Sequence, residues 1–397
     1  MTILSVIIPT YNRCEKLKLT LERCIEYSFG LPVQIVVVND GSTDQTSEFL
    51  AGFKNLHQNV IVCASENRGP GNARNIGANA ASGYLLLFMG DDTIPTSHEC
   101  FAAHLRFHEQ FKEPSLGVLG KVVLRKRADL PFSFVTSLIQ GIGAQQFGYA
   151  HMSPYAQYDW RFFYTANVSV KRSCVRNWLT DGFSGDFSSA SFEDMEFAYR
   201  LTQELGSLRL LYAPTSVVEH DHYYNVETFI ARQERAGKMA RLFVQKHSSV
   251  AASIGLSQIE RIFAAPRAVE EGQERKVKLR LEMIEGIFAS AKLLEQELYL
   301  GSEAWHIQFL NAVFELAFYC GAINGYPRWP ANLDAAYRFA LKAFELRMVQ
   351  ISETELLHVV SPIVTARASS NRTGHSNLEK QQLEFWTRWK RALRLST

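Results

Sequence analysis

The feature that most constrains the fold is an unbroken apolar segment, residues 84–89, that ends at Gly90 and two adjacent carboxylates, Asp91 and Asp92. Six apolar residues without alternation predict a strand covered on both faces, and Gly90 is expected to let the chain turn sharply where this strand ends. The carboxylates should therefore lie at the carboxyl edge of a sheet, where open α/β sheets bind ligands. Paired oxygen donors there suit Mg²⁺ or Mn²⁺ carrying a diphosphate, although an Asp-Asp pair after a strand is also typical of an ordinary turn.

Earlier segments of the chain show the same alternation of strand and helix. Apolar strands are predicted over 3–9, 33–38 and 60–64, and helices over 14–27, from the 39–44 turn through 49, and over 72–81. Strands that alternate with helices at this spacing imply right-handed crossovers and a parallel sheet. A further strand is predicted over 116–124. The first half is therefore predicted to be a nucleotide-binding type of α/β fold.

Composition limits the classes of partner. Charged residues make up 21% of the 397 residues and the net charge is +2, so nothing points to nucleic acid. Six cysteines without C-x-x-C spacing argue against a zinc knuckle and against a disulfide framework. The chain enters a strand near its first residue, and no segment is judged long enough to span a bilayer. We therefore expect a cytoplasmic protein, peripheral at most at the inner face of the membrane.

The chain is predicted to divide into three parts. The α/β domain is expected over 1–248 and a helical domain over 249–365, followed by a linker and a tail helix over 366–397. The tail places Trp386 and Trp389 among basic residues, a pattern that suits an anionic membrane surface. Docking of the tail on the helical domain or on a partner is the alternative.

Polar residues follow each predicted strand and would converge on one crevice in a doubly wound sheet. Asp40 can accept a hydrogen bond from a base N–H, Tyr11 can stack on the base, and Arg74 can donate to a base carbonyl. The candidate nucleotide-binding residues are Pro9, Thr10, Tyr11, Arg13, Asp40, Arg74 and Asp91, with Asp92 as the candidate metal ligand.

The ordered set of motifs resembles that of family 2 glycosyltransferases with the GT-A fold. The matching segments are 5–12, 36–44, 71–75, 90–92, 167–172, 181–183, 192–196 and 219–220, so the resemblance covers roughly the first 250 residues. It implies a doubly wound α/β GT-A nucleotide-binding sheet, followed here by an all-α C-terminal domain. It also implies that Asp40 contacts the nucleobase, Thr10 and Tyr11 line the base pocket, Asp91 faces the ribose and Asp92 binds the metal.

The resemblance assigns two further positions. Asp194, beside Glu193, would be the general base of an inverting transfer, and His220 would complete the metal or diphosphate site. Each has a structural alternative: Ser191 and Asp194 also fit a capping box that starts a helix, and His220 and His222 could be solvated residues at a strand end. Many relatives carry another acidic residue where this chain has Gly90 and Thr93, so few protein ligands are expected at the metal.

The expected function is metal-dependent, inverting transfer of a sugar from a nucleoside-diphosphate donor, expected to be a UDP-sugar. The expected acceptor is a hydroxyl of a glycan, of a lipid-linked molecule or of a protein. An inactive GT-A scaffold that binds partners is one alternative. A nucleotidyltransferase is disfavoured, because Pro9 and Thr10 stand where such enzymes place a glycine-rich phosphate loop.

Overall fold

The structure, a computed structural model, describes residues 3–126, 133–139, 146–149, 152–264, 273–295, 304–324 and 333–348. The chain forms two compact units: Met1–Pro131 with Ser137–Tyr223, and Phe132–Thr136 with Tyr224–Thr397. We call them the sheet unit and the helical unit. The predicted linker and tail over 366–397 lie outside the described residues.

Nine strands and twelve helices are described. The strands are β1 (Leu4–Thr10), β2 (Val33–Asn39), β3 (Val60–Ala64), β4 (Leu85–Met89), β5 (Thr93–Pro95), β6 (Leu116–Leu124), β7 (Gln157–Tyr158), β8 (Asn167–Lys171) and β9 (Arg209–His220). The helices are α1 (Cys14–Ser28), α2 (Thr46–Leu56), α3 (Pro70–Ala80), α4 (Glu99–Gln110), α5 (Phe134–Ser137), α6 (Glu193–Leu205), α7 (Val226–Lys246), α8 (Ser248–Ala251), α9 (Ser257–Ala264), α10 (Gln273–Leu294), α11 (Ala304–Asn324) and α12 (Leu333–Met348).

The strands of the sheet unit form one mixed sheet in the order β3-β2-β1-β4-β8-β6-β9-β5, with β7 paired to β9. The neighbours β3, β2, β1 and β4 are parallel, as predicted from their alternation with helices. β8 runs antiparallel to both β4 and β6. The helices described between β6 and β8 are short, and an antiparallel neighbour needs no long crossover. The predicted class, an α/β sheet domain followed by an all-α region, is confirmed.

The core of the sheet unit follows from the continuous apolar strands. Every residue of β4 is buried, and β1 and β2 are buried at all but one position each. Leu17, Leu21 and Cys24 of α1 are completely buried in the same core cluster as β1, β2 and β4. Burial on both faces leaves polar residues at the strand ends, where the candidate site lies.

A polar cluster is buried beneath β8. His104 of α4 places Nδ1 2.7 Å from Ser169 Oγ and Nε2 3.1 Å from Asn167 Oδ1. His108, one turn later, places Nε2 2.9 Å from Ser169 Oγ. Asn167 also donates to the carbonyl of Ser216, at 3.1 Å, where β9 shifts register against β6. We call these five side chains the His104 cluster.

In the helical unit, α7 and α11 cross with their backbones in close contact. A Cβ atom added to Gly237 would lie 1.8 Å from the carbonyl oxygen of Phe318, and one added to Gly321 would lie 1.9 Å from that of Glu234. The sheet unit ends at Tyr223, whereas the α/β domain was predicted to extend to residue 248; that domain boundary stays a prediction. The helical pattern of α7 is visible in the sequence, but the partner of its apolar face is not.

One described helical segment, His306–Asn324, is long and apolar enough by length and composition to cross a bilayer, which corrects the expectation that no segment would be. Within it, 67% of the 18-residue apolar window is buried inside the protein. Phe309, Leu310 and Phe314 are among its nearly inaccessible residues. This burial is typical of a core helix.

Candidate functional site

The ends of β1 and β4 are joined through Asp91. Thr10 Oγ1 donates to Asp91 Oδ2 at 2.8 Å, and Thr20 Oγ1 donates to the backbone carbonyl of Asp91 at 2.9 Å. One Arg13 nitrogen lies 3.2 Å from Asp91 Oδ1. Burial and the adjacent charge of Asp92 raise the pKa of Asp91 to about 6. The predicted set Thr10, Arg13 and Asp91 therefore forms one contact group.

Asp92 is surrounded by nitrogen atoms. The same Arg13 nitrogen lies 2.7 Å from Asp92 Oδ2, His222 Nδ1 lies 3.0 Å from Oδ2, and His220 Nε2 lies 3.7 Å from Oδ1. Burial opposes ionisation of Asp92, but His220, His222 and Arg13 outweigh it and hold its pKa below the usual range. Asp92 is therefore a carboxylate at neutral pH.

The pairing of β5 with β9 brings these distant residues together. Thr93 pairs with His220, and the Asp221 amide donates to the Asp92 carbonyl at 2.8 Å. One ligand atom from each of Asp92, His220 and His222 can be chosen so that all three lie within 4.8 Å of one another. We call these three residues the Asp92 group; their carboxylate and imidazole atoms could hold a metal ion.

His220 is 6% exposed, so the interpretation as a solvated strand-end residue is wrong for it. Burial lowers the pKa of His220 to about 4, which leaves the ring neutral and its lone pair available at neutral pH. His222 was considered only as a possible solvated residue beside His220 and was not assigned to the site. The two-residue spacing was the signal that could have identified it.

The chain turns at Gly90 as predicted, with the Thr93 amide donating to the Gly90 carbonyl at 3.3 Å, but the reason for a glycine is different. Gly90 is absent from the residues with positive φ, so no left-handed turn requires a glycine there. A Cβ atom at Gly90 would instead lie 2.9 Å from Asp92 Oδ1. Glycine is needed because the Asp92 carboxylate folds back against the backbone.

Asp40 organises the loop that precedes α3. Its Oδ1 accepts from Ser65 Oγ at 2.7 Å and from the Arg68 amide at 3.2 Å, and its Oδ2 accepts from the Gly69 amide at 2.9 Å. Gly69 has φ +90, a conformation that favours glycine. Asp40 is 3% exposed, whereas Tyr11, beyond the end of β1, is 42% exposed. Pro9 lies within β1 and is paired with Val38.

Arg74 has a carboxylate partner that the sequence analysis did not predict. Its NH1 lies 2.9 Å from Glu193 Oε1, with side-chain exposures of 7% and 3%. The guanidinium carbon also lies 5.5 Å from the centre of the Phe183 ring. The structure therefore joins α3 to the start of α6 through a buried ion pair.

Asp194 is in the first turn of α6, but it does not form the predicted capping box. Phe192, the residue just before the helix begins, is left-handed with φ 64, and no described side chain caps the helix there. Asp194 Oδ1 accepts from the Met195 amide at 2.8 Å. Burial and the charge of Glu193 raise the pKa of Asp194 to about 7, against the opposing charge of Arg74. Such a carboxyl can exchange a proton near neutral pH.

The Phe147 ring lies between the rings of His220 and Tyr164. The Phe147 ring lies 5.8 Å from the His220 ring and 5.3 Å from the Tyr164 ring. Burial and the charge of Asp194 both raise the pKa of Tyr164. His220 of the Asp92 group and Tyr164 therefore pack against the same aromatic ring, and the pKa of Tyr164 responds to the Asp194 charge.

Comparisons with known proteins relate part of the chain to a known family. The sequence model for glycosyl transferase family 2 matches residues 5–161. Validoxylamine A glucosyltransferase of Streptomyces hygroscopicus subsp. jinggangensis is 27% identical over 276 residues, covering 62% of this chain and 62% of that protein. Glycosyltransferase GlyA of Streptococcus pneumoniae serotype 4 is 36% identical over 89 residues, covering 22% of this chain and 13% of that protein. The chain thus spans less than two thirds of the length of these curated relatives.

Among solved structures, a mannosyltransferase from Pyrobaculum calidifontis in complex with GDP-Man and Mn²⁺ is 15% identical to this chain. It superposes with a TM-score of 0.45 over 88% of each chain. The segment matched by the family, 5–161, includes β1 to β6 and the acidic residues Asp40, Asp91 and Asp92. Over residues 5–161 the chain therefore matches glycosyl transferase family 2.

Proposed function

We propose that this protein is a metal-dependent inverting glycosyltransferase that moves a sugar from a UDP-sugar to a hydroxyl group. The acceptor would be a glycan, a lipid-linked molecule or a protein. The observations that carry the proposal are the Asp92 group and the buried Asp194, whose pKa is raised to about 7, both in the sheet unit. A cytoplasmic location, with membrane contact through the 366–397 tail, stays a prediction of the sequence.

Asp92, His220 and His222 would hold the cation. When bound, a divalent cation supplies positive charge that stabilises the departing diphosphate. Two imidazoles suit Mn²⁺ or another transition ion better than Mg²⁺, which prefers an octahedron of oxygen ligands. The bridging guanidinium of Arg13, which is 39% exposed, can add a second positive charge on the diphosphate side.

Asp194 would act as the general base. It removes the proton from the acceptor hydroxyl while that oxygen attacks the anomeric carbon. The bond from the anomeric carbon to the diphosphate oxygen breaks, and UDP leaves from the opposite face. A direct displacement of this kind inverts the anomeric centre. Asp40, Thr10 and Tyr11 would line the nucleobase pocket, with Asp91 toward the ribose.

The test is release of UDP from a panel of UDP-sugars with Mn²⁺, in the presence of candidate acceptors. We expect Asp92→Asn and Asp194→Asn each to reduce turnover on the order of 1,000-fold, while UDP still binds to the Asp194→Asn protein. Glu204→Gln, which alters an exposed carboxylate on the same helix as Asp194, is the matched control and should leave turnover unchanged.

Wild-type turnover by the Asp194→Asn protein would refute the base assignment. A scaffold protein would release no UDP from any donor, and its unfolding temperature would not rise with UDP and Mn²⁺. Bound UDP and Mn²⁺ should raise that temperature if the site is a donor site.

A further inference from the structure

The start of α3 is docked against the segment that leads into α6. The Asn75 side chain donates to the Phe183 carbonyl at 2.8 Å and accepts from the Phe183 amide at 2.7 Å. Gly182 lies close to the Asn75 side chain: a Cβ atom added to Gly182 would lie 2.2 Å from Asn75 Oδ1. A Cβ atom on Gly71 would lie 3.1 Å from the Phe183 Cβ. The 71–75 segment is therefore a docking surface for the segment that carries Asp194.

The Arg74–Glu193 ion pair is the contact of this surface that lies next to Asp194. Both side chains are buried, and Arg74 NH1 and Glu193 Oε1 are 2.9 Å apart. Glu193 Oε2 makes no hydrogen bond with the described residues. In the described part of the chain, the Glu193 charge is therefore compensated by Arg74.

The first turn of α6 needs this external contact. Phe192 has φ 64, a conformation that a bulky residue rarely adopts, and no described side chain caps the helix there. The Glu196 amide bonds to the Phe192 carbonyl at 2.9 Å, so the helix is regular once it has begun. What fixes the direction of the first turn is its docking on α3.

We propose that Arg74 is a positioning residue for the general base, not a reader of the nucleobase: by holding Glu193 it fixes the first turn of α6 and hence Asp194. This inference rests on the proposed role of Asp194. It also assigns Asn75 to the same docking surface. The loop that Asp40 organises leads directly into α3. The predicted nucleobase pocket and the general base would therefore both be held in place by α3.

Several groups face Asp194, and their charges determine the direction in which each substitution should shift the pH–kcat profile. Glu193 on α6 raises the Asp194 pKa, Arg74 on α3 lowers it, and the amides of Met195 and Thr165 stabilise the carboxylate. Tyr164 approaches from the loop before β8. Since the base must be ionised to act, loss of Arg74 should move the acid limb of the pH–kcat profile to higher pH. Loss of the Glu193 charge should move it to lower pH.

The experiment measures kcat, its pH profile and the dissociation constant for UDP in Arg74→Lys, Arg74→Gln and Glu193→Gln. We expect kcat to fall on the order of 100-fold in Arg74→Gln, because small displacements of a catalytic group have costs of that size. UDP affinity should be unchanged in all three. Arg74→Lys should keep the position of the acid limb while kcat falls, since the charge stays but the planar fork is lost.

Arg176→Gln, which removes an exposed arginine of the same unit, is the matched control and should change none of these quantities. If a single variant does not fold, the paired variant Arg74→Gln with Glu193→Gln keeps a neutral hydrogen bond and removes both charges. That variant should bind UDP normally and turn over slowly.

Weakened UDP binding with an unshifted pH profile in Arg74→Gln would overturn the inference and favour the nucleobase role. Acid limbs that move in the same direction in Arg74→Gln and Glu193→Gln would also overturn it. Failure of the proposed function is recognised separately, by wild-type turnover of the Asp194→Asn protein.

Discussion

At the residue scale, we expect Gly90 to be the position beside the Asp92 group that is least tolerant of substitution. Gly90 leaves room for the Asp92 carboxylate, and a Cβ atom there would lie 2.9 Å from Oδ1. That oxygen belongs to a buried side chain held by two histidines and an arginine, so it has little freedom to move. An added methyl group must therefore displace a metal ligand.

We predict that Gly90→Ala raises the Mn²⁺ concentration needed for half-maximal activity, by about 10- to 100-fold. The measurement is activity against free Mn²⁺ at saturating donor. Gly52→Ala is the control, because Gly52 is exposed on α2 and nothing lies within 4 Å of its added Cβ. An unchanged Mn²⁺ requirement in Gly90→Ala would show that Asp92 can move without loss, contrary to the proposed metal site.

The residues of the candidate site were easier to predict from the sequence than the contacts between them. Thr10 is the last residue of β1, and Asp91 and Asp92 follow the end of β4, so their meeting at one sheet edge follows from the fold. The partner of Arg74 could not be inferred in this way, because Glu193 lies 119 residues away in sequence and on a different element. A guanidinium can bond equally well to a base carbonyl or to a carboxylate.

At the element scale, strand positions followed from the sequence but strand directions followed only in part. The apolar runs of β1 to β4 are separated by amphipathic helices, and this alternation specifies parallel neighbours. β8 has five residues and little sequence that indicates its direction. Its antiparallel position between β4 and β6 depends on neighbours that are distant in sequence.

The polar side chains of β8 that are buried in the sheet unit have hydrogen-bond partners in the His104 cluster. Asn167 and Ser169 of β8 are completely buried, and their polar atoms bond to His104 and His108 of α4. Burial lowers the pKa of His104 to about 4. Burial and the charge of Lys171 lower that of His108 to about 3. Both rings are therefore neutral where an unfolded chain would begin to protonate them.

We predict that this cluster makes the protein acid-labile. Below pH 6.5 the unfolded chain binds protons at these histidines that the folded chain does not, so the stability they contribute is lost as the pH falls toward 4. Between about pH 5 and 6, each such histidine adds up to about 1.4 kcal/mol per pH unit to the slope of unfolding free energy. His108→Gln should therefore reduce that slope.

The measurement is urea unfolding at several pH values for wild type, His108→Gln and, as control, His98→Gln, an exposed histidine just before α4. Asp91 and Asp194, whose pKa values are raised, contribute with the opposite sign over about pH 4 to 7. They are the same in all three proteins, so the difference in slope isolates His108. Equal slopes for wild type and His108→Gln would contradict the prediction.

At the scale of the whole molecule, the division into units could be predicted in kind but not in position. The change from alternating strands and helices to helices alone is visible in the sequence, and it predicts an α/β part before a helical part. The sequence does not show that α7 packs on α11 through Gly237 and Phe318, which are 81 residues apart (318 − 237). An amphipathic pattern specifies that a helix has an apolar face, not which surface covers that face.

All of the candidate site residues, from Pro9 to His222, lie in the sheet unit. A substitution that damages only the packing of the helical unit should therefore spare donor binding. Gly237→Ala provides that substitution, because its added Cβ would lie 1.8 Å from the Phe318 carbonyl oxygen, a backbone atom that cannot move aside without shifting α11. Overpacking of a buried position typically costs about 3 kcal/mol or less, and a backbone clash places this variant at the upper end.

We predict that Gly237→Ala lowers the free energy of unfolding of the helical unit by about 3 kcal/mol, while the dissociation constant for UDP with Mn²⁺, measured below the unfolding transition, stays at the wild-type value. Gly286→Ala is the control, since Gly286 is exposed on α10 with open space around its added Cβ, and it should be neutral or stabilising by up to about 1 kcal/mol. If Gly237→Ala reduces the free energy of UDP binding by as much as it reduces the free energy of unfolding, donor binding depends on the helical unit. A site confined to the sheet unit would then be the wrong description.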